Sequence, residues 1–333
     1  MEQTQEILAS TITEYKIHWP SAQTMSTHEL ICDDTGIYVT GQNMNCIAKC
    51  SYDGQFTFHQ FENKSGPHGL LIDKQGRVWI SFEFEGRVIC LNEKFEIIKS
   101  IDVKIYPQGS DPINPAPHGI TLDADGETIW FTGKRTSTVG KINSDGSVVH
   151  FELPQLAAMP IFLAAGPDGN IWGTELLGNN ILNVSKSGVV KEFKIPTSNS
   201  RPIGIIQDPS EPFMWFTQEA GKKIGKIDMN GNIVEFSVPL VLESDILGSL
   251  SFDPEGNLWV QCYAIENNGV PKGHDYIVKF DASIRNAHAG SNVITTKYNA
   301  QSYKSMMHRI RMGNDGNMWF TEMHSDVLGK ITL

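Results

Sequence analysis

Nothing in this chain of 333 residues reads as a helix of useful length. Apolar residues do not recur with a 3.6-residue period, and no run approaches the roughly 18 apolar residues of a membrane span. Runs of Lys or Arg are missing too. With 27 basic against 38 acidic residues the formal net charge is -11, which argues against nucleic acid or an anionic membrane as a partner. Cysteine is scarce: Cys32, Cys46, Cys50, Cys90 and Cys262 are an odd number with no CxxC pair. That excludes a disulfide scaffold and leaves buried free thiols. The segment from Met1 to Ser10 is acidic and lacks a basic stretch followed by a long apolar core. The expectation is a soluble, cytoplasmic monomer. A nucleophile elbow, a phosphate-binding Gly loop and zinc-ligand spacing are also absent.

What the chain does contain is one phrase, repeated. A short apolar strand leads to a turn of Asp or Asn with Gly, then to an aromatic strand. Ala116-Pro117-His118-Gly119-Ile120 leads through Asp123-Ala124-Asp125-Gly126 to Ile129-Trp130-Phe131-Thr132, and Met307-His308-Arg309-Ile310 leads to Met318-Trp319-Phe320-Thr321-Glu322. The anchor aromatics are Tyr38, Trp79, Trp130, Trp172, Trp215, Trp259 and Trp319, spaced 41, 51, 42, 43, 44 and 60 residues apart. A period just above 40 made of short strands is that of a four-stranded propeller blade. A third strand follows, as in Val139-Gly140-Lys141-Ile142, and then a fourth, as in Val190-Lys191-Glu192-Phe193. The last repeat stops after its third strand. Ile12-Thr13-Glu14-Tyr15-Lys16-Ile17 resembles a fourth strand and sits at the other end of the chain. The expectation is all-β: residues 1–333 as a single seven-bladed propeller domain, closed by the N-terminal strand pairing with the C-terminal blade.

With the strands of each blade labelled a to d, the a–b and c–d turns are short and lie on one face. Three insertions, Lys104 to Pro115, Tyr263 to Asp275 and Ala287 to Ser305, are assigned to the opposite face, where a rigid scaffold presents its loops. The first position of strand a is His28, His68, His118, Ile161, Ile203, Gly248 and His308 in turn. Four His on consecutive blades line one side of the central opening. Glu175 and Glu322, with Gln218 at the matching place, end strand b and are expected at the same level, and His274 is within reach from its insertion. Glu83 and Glu219 come one residue later, so their side chains are expected to point away. A His/Glu mixture suits a divalent cation or a base with an orienting carboxylate. The alternative for such His is a scaffold role inherited with the repeat.

The wording Pro-His-Gly-Ile, Asp-Gly-x-Ile-Trp-Phe-Thr-Glu and Ile-Gly-Lys-Ile resembles the streptogramin B lyase (virginiamycin B lyase) family over nearly the whole chain, clearest at 117–142, 202–227 and 307–331. The resemblance implies a seven-bladed propeller that opens the ester of a cyclic depsipeptide by elimination, with magnesium. His308 matches the family's proton acceptor, and Glu322 matches a metal-associated Glu that joins it in one catalytic site. Met306 stands where the family has a second ligand Glu, and a thioether is a poor ligand for a hard cation. Leu247-Gly248-Ser249 lacks the substrate-binding His of blade six. His28, His68, His118, Glu175 and His274 are then pocket residues for a small-molecule substrate at the propeller mouth. Two other readings stand beside it: a non-catalytic propeller that binds a ligand or protein on the insertion-bearing face, and a metal-dependent lactonase.

Overall fold

The computed structural model describes residues 4–7 as backbone, and 11–20, 25–62, 64–266 and 269–333 in full. Seven sheets, each built on four antiparallel strands, follow one another around a ring. Blade one runs from β3 (Thr27–Asp33) to β6 (Phe56–Gln60), and blade four from β15 (Pro160–Ala165) to β18 (Val190–Lys194). Blade seven is built from both ends of the chain. Its inner strands are β27 (Met307–Met312), β28 (Met318–Glu322) and β29 (Val327–Ile331), and its outer strand is β2 (Ile12–Lys16), antiparallel to β29 from Ile12↔Ile331 to Lys16↔Val327. The ring closure expected from the sequence is present. A short strand β1 (Thr4–Ile7) also adds in parallel to the outer edge of blade six.

Each word of the repeated phrase has a physical cause. The Asp of the a–b turn accepts the indole N–H of the anchor Trp: Trp79 to Asp73 at 2.8 Å, Trp215 to Asp208 at 2.9 Å, Trp319 to Asp315 at 3.0 Å. Trp130, whose Nε1 has no partner, departs from the pattern. The Phe after Trp lies across the strand pair from the Gly of Gly-Lys-Ile, as in Phe131↔Gly140 and Phe320↔Gly329. A Cβ on Gly140 or Gly329 would sit 2.0 or 2.1 Å from that ring, so only glycine admits the aromatic. The Lys that follows lies over the Trp face, 5.6 Å from Trp130 for Lys141 and 5.3 Å from Trp319 for Lys330.

The Thr after Trp-Phe builds the ring. Every a–b pair carries a bulge at the start of strand a, such as Pro67/Leu70 and Met307/Ile310, which frees a backbone N–H from the ladder. The strand-b hydroxyl takes that N–H and donates onward to a carbonyl of the next blade. Thus Ser81 accepts from Gly69 N at 2.8 Å and donates to His118 O at 2.9 Å. Thr321 accepts from Arg309 N at 3.0 Å and donates to His28 O at 2.6 Å, closing the circle across the chain ends. In blade six an amide, Gln261, replaces the hydroxyl. These relays fix the backbone that carries the channel-lining residues.

One loop assignment needs correction. Part of the insertion read as Ala287 to Ser305 joins β25 (Tyr276–Phe280) to β26 (Thr295–Asn299), and so is a c–d connection. With the short 3-10 helix Ala282–Asn286 it lies on the face of the short turns, where Arg285 pairs with Asp208 of the blade-five a–b turn at 2.7 Å. The long connections are therefore not confined to one face. The five thiols are free as expected, and all but Cys32 are buried.

Candidate functional site

The four strand-a His meet at one mouth of the central channel. Ring centroids lie 3.7 Å apart for His68 and His118, 4.9 Å for His28 and His308, and 5.4 Å for His28 and His68. Burial lowers the pKa of His28 to about 3, with His308 adding to the effect, and holds His68 and His118 well below the ordinary value. These three imidazoles are neutral at physiological pH. His28 Nδ1 lies 2.7 Å from Ser26 O and His118 Nδ1 3.3 Å from Ile161 O. Each carbonyl selects the tautomer with its proton on Nδ1 and leaves Nε2 with a free lone pair. His68 Nδ1 is buried with no partner.

The residue after the first strand-a position decides what lies beneath the His. In blades two, three and five it is Gly69, Gly119 or Gly204. In blades one and seven it is Glu29 and Arg309, whose side chains meet under the His cluster. Arg309 Nε and Nη2 lie 2.6 and 2.5 Å from Glu29 Oε2. The guanidinium also covers the ring of Phe162, the blade-four residue at the same repeat position, at 3.9 Å. Arg309 thus reaches from blade seven to Phe162 of blade four. A cavity of about 240 Å³ lies along the channel, lined by Phe162, Gln207, Arg309 and Arg311 among others. Burial alone would raise the pKa of Glu29, but Arg309, then His308, hold it below the usual carboxylate range. His308 Nδ1 lies 3.1 Å from Glu29 Oε1. The contact is off the hydrogen-bonding angle, so both atoms keep capacity for a further partner. The His308 side chain is 19% exposed against 3% for Glu29, which makes the imidazole the accessible member of the pair.

The expected partner Glu322 is not in this group. Its register mate is Met307, and alternation turns the His308 side chain to the opposite side of the strand. The Glu322 carboxyl instead accepts from Ser325 Oγ at 2.5 Å and faces Glu14 of the closing strand. Burial raises its pKa far above the ordinary carboxylate range, and Glu14 adds to the rise. Glu175 repeats the arrangement in blade four, where burial, and then Glu192 of strand d, raise its pKa. In blade five the same place holds Gln218, whose amide donates to Glu235 at 2.9 Å. A protonated Glu is the donor-bearing counterpart of that Gln. Glu175 and Glu322 thus meet Asn180 and Ser325, and not the His cluster. The group whose pKa rises on folding favours the fold below its unfolded pKa and loses that contribution as pH rises toward its folded value. Glu322→Gln is expected to raise stability by about 1–3 kcal/mol at pH 8 and by almost nothing at pH 4. Urea unfolding at the two pH values measures this, and an equal effect at both would contradict it.

The converse holds for Glu83, expected to point away. It reaches the mouth, where its oxygens accept from Gln42 Nε2 at 2.7 Å and Lys134 Nζ at 3.1 Å. His274 lies elsewhere, bonded to Ser302 O at 3.0 Å in a separate pocket over blade six that it shares with Tyr276 and Tyr303. Sequence reasoning also missed Tyr263. A Cβ on Gly248 would sit 2.3 Å from the Tyr263 hydroxyl, so this phenol fills the space where the family's blade-six His is lacking. Glu29 and Arg309 carried a signal: both replace the Gly of the His-Gly wording.

Among the described residues, the two positions that the resemblance gives to magnesium, Met306 and Glu322, do not make a charged oxygen pair. Met306 offers a thioether on a left-handed backbone (φ 45°), with its carbonyl already accepting from Met323 N at 2.8 Å. The Glu322 carboxyl is taken up by Ser325 and faces Glu14. A hard cation requires charged oxygens.

Known proteins agree with this architecture. A curated virginiamycin B lyase of Nocardia farcinica is 27% identical over 209 residues, covering 52% of this chain and 70% of its own. The crystal structure of virginiamycin B lyase from Staphylococcus aureus superposes with a TM-score of 0.78 at 28% identity, over 97% of this chain and 99% of that one. A catalytically inactive variant of the Staphylococcus aureus enzyme, solved with quinupristin, gives 0.77 at 27% identity, over 97% and 99%. The model of the virginiamycin B lyase family matches residues 102–289, more than half of the chain, and with the seven-bladed fold around it this chain belongs to that family.

Proposed function

We propose that the chain opens an ester of a small cyclic molecule by elimination, with His308 as the base. The observation that supports this reading is the His308–Glu29 contact, held from below by Arg309. A carboxylate facing Nδ1 favours the tautomer that leaves Nε2 basic, and it stabilises the imidazolium formed when Nε2 takes a proton. The proton removed is the one alpha to a carbonyl. Its electron pair forms the new carbon–carbon double bond as the bond from the β carbon to the ester oxygen breaks, and the carboxylate leaves. Lys134, whose charge is felt by both His28 and His118, is the cation at the mouth that favours developing negative charge. Tyr263 brings a phenol hydroxyl to the blade-six side. Glu322 and Glu175 take no part.

The test is incubation with a cyclic depsipeptide such as quinupristin, followed by mass spectrometry. Elimination opens the ring with no change in mass, whereas hydrolysis adds one water. His308→Ala is expected to lose at least about 10²-fold in turnover with the fold intact by circular dichroism, and Glu29→Gln to lower kcat with a smaller change in KM. Full activity in folded His308→Ala ends the assignment. The second reading, a binding propeller without turnover, is favoured by Met306 and Gly248 at two motif positions. It predicts ligand binding by the wild type with no product of either mass.

A further inference from the structure

We propose that His68, Glu83 and His118 form a binding site for one divalent transition-metal cation of the zinc class, at the propeller mouth on blades two and three. This goes beyond the elimination reading and does not rest on it. One ligand atom from each of the three lies within 4.8 Å of the other two, and all three residues are buried. Two imidazoles and one carboxylate are a donor set that borderline cations take up with about 2.0–2.2 Å bonds, leaving a fourth position for water or a substrate oxygen.

The surroundings are those of ligands already oriented. The contact of His118 Nδ1 with Ile161 O directs its Nε2 lone pair inward. One oxygen of Glu83 is held by Gln42 Nε2. Such outer contacts fix the direction in which a ligand presents its lone pair. Among the described residues His68 Nδ1 has no partner although the residue is only 1% exposed, so no hydrogen bond holds this ring against turning a nitrogen to a cation. Lys134 Nζ now supplies the positive charge opposite Glu83. Its side chain is 30% exposed, so it can swing into solvent when a cation takes its place.

His28, His68 and His308 also lie within 4.8 Å of one another. That set brings no carboxylate of its own, and its His308 already faces Glu29. The Glu83 set brings a negative charge to the cation, which a buried divalent ion needs.

The experiment is calorimetric titration of the full chain with Zn²⁺, Mg²⁺ and, for its visible spectrum, Co²⁺. One Zn²⁺ per chain is expected, bound at least about tenfold more tightly than Mg²⁺. His118→Ala and Glu83→Gln should each weaken Zn²⁺ by at least about tenfold, and His28→Asn should change it less than about threefold. Lys134→Met should bind Zn²⁺ more tightly, a gain that misfolding cannot mimic. The proposal is overturned if no Zn²⁺ binds. It is equally overturned if His28→Asn abolishes binding while Glu83→Gln and His118→Ala leave it unchanged, or if Lys134→Met binds no better. Zn²⁺ binding without ester opening supports the site and removes the lyase reading, whereas ester opening without Zn²⁺ binding does the reverse.

Discussion

Arg309→Met is expected to cost about 3–5 kcal/mol, a large part of the stability of an ordinary domain. Glu29 and Arg309 are 3% and 7% exposed, so removing the guanidinium leaves a carboxylate stranded in the channel. The second substitution shows whether the charge or the volume matters. Glu29→Leu combined with Arg309→Met leaves apolar groups of similar size beside Phe162 and should recover most of the loss. Denaturant unfolding of the single and double variants gives the comparison. If the single variant loses less than about 1 kcal/mol, the pair is not buried as described. The same single variant also removes the support beneath His308, so its turnover should fall even in the fraction that remains folded.

Removal of residues 1–20 should be more damaging still. The deletion takes away β2, exposes the edge of β29 and uncovers Trp319, on which Tyr15 stacks at 5.8 Å. It also removes the buried side chains of Ile12, Ile17 and Trp19. Trp19 donates to Asp326 at 3.2 Å, and the same carboxylate accepts from the backbone of Met25, Ser26 and Thr27. That cluster latches blade seven to blade one, and without Trp19 it opens to water. Burying three large side chains is worth several kcal/mol, so the truncated chain should melt far below the full one or fail to fold. Equal melting temperatures would refute the closure.

The blades were legible because their chemistry recurs. Trp needs its Asp, Phe needs the opposing Gly, and Thr needs the carbonyl of the next blade, so one phrase returns around the ring. Four His at the first strand-a position on adjacent blades could be placed together for the same reason. The site below them was harder to see because it is made of departures from the phrase. Glu29, Arg309 and Phe162 each replace a small residue of strand a, and their significance appears only when the ring brings blades one, four and seven face to face. Glu322 failed for a local reason. The bulge at Met307/Ile310 pairs Glu322 with Met307, and an offset of one residue moves a side chain to the other side of a strand. The same alternation brought Glu83 inward against expectation. Tyr263 was hidden because the absence of a side chain at Gly248 reads in sequence as a gap, whereas in space it is filled.

The hydroxyl relays between blades behave as a hoop. Each joins its own strand a to the next blade, and the last joins Thr321 to His28 across the chain ends. A hoop has no free end at which to yield, so widening the channel would stretch every link at once, at about 0.5–1.5 kcal/mol for each bond lost. The mouth therefore cannot admit a bulkier guest by parting two blades. Below the mouth the calibre is set by the groups that project inward from the hoop, chiefly Phe162 and Arg309. Selection for a larger or smaller guest would act by trimming or extending those side chains while the circumference stays as it is.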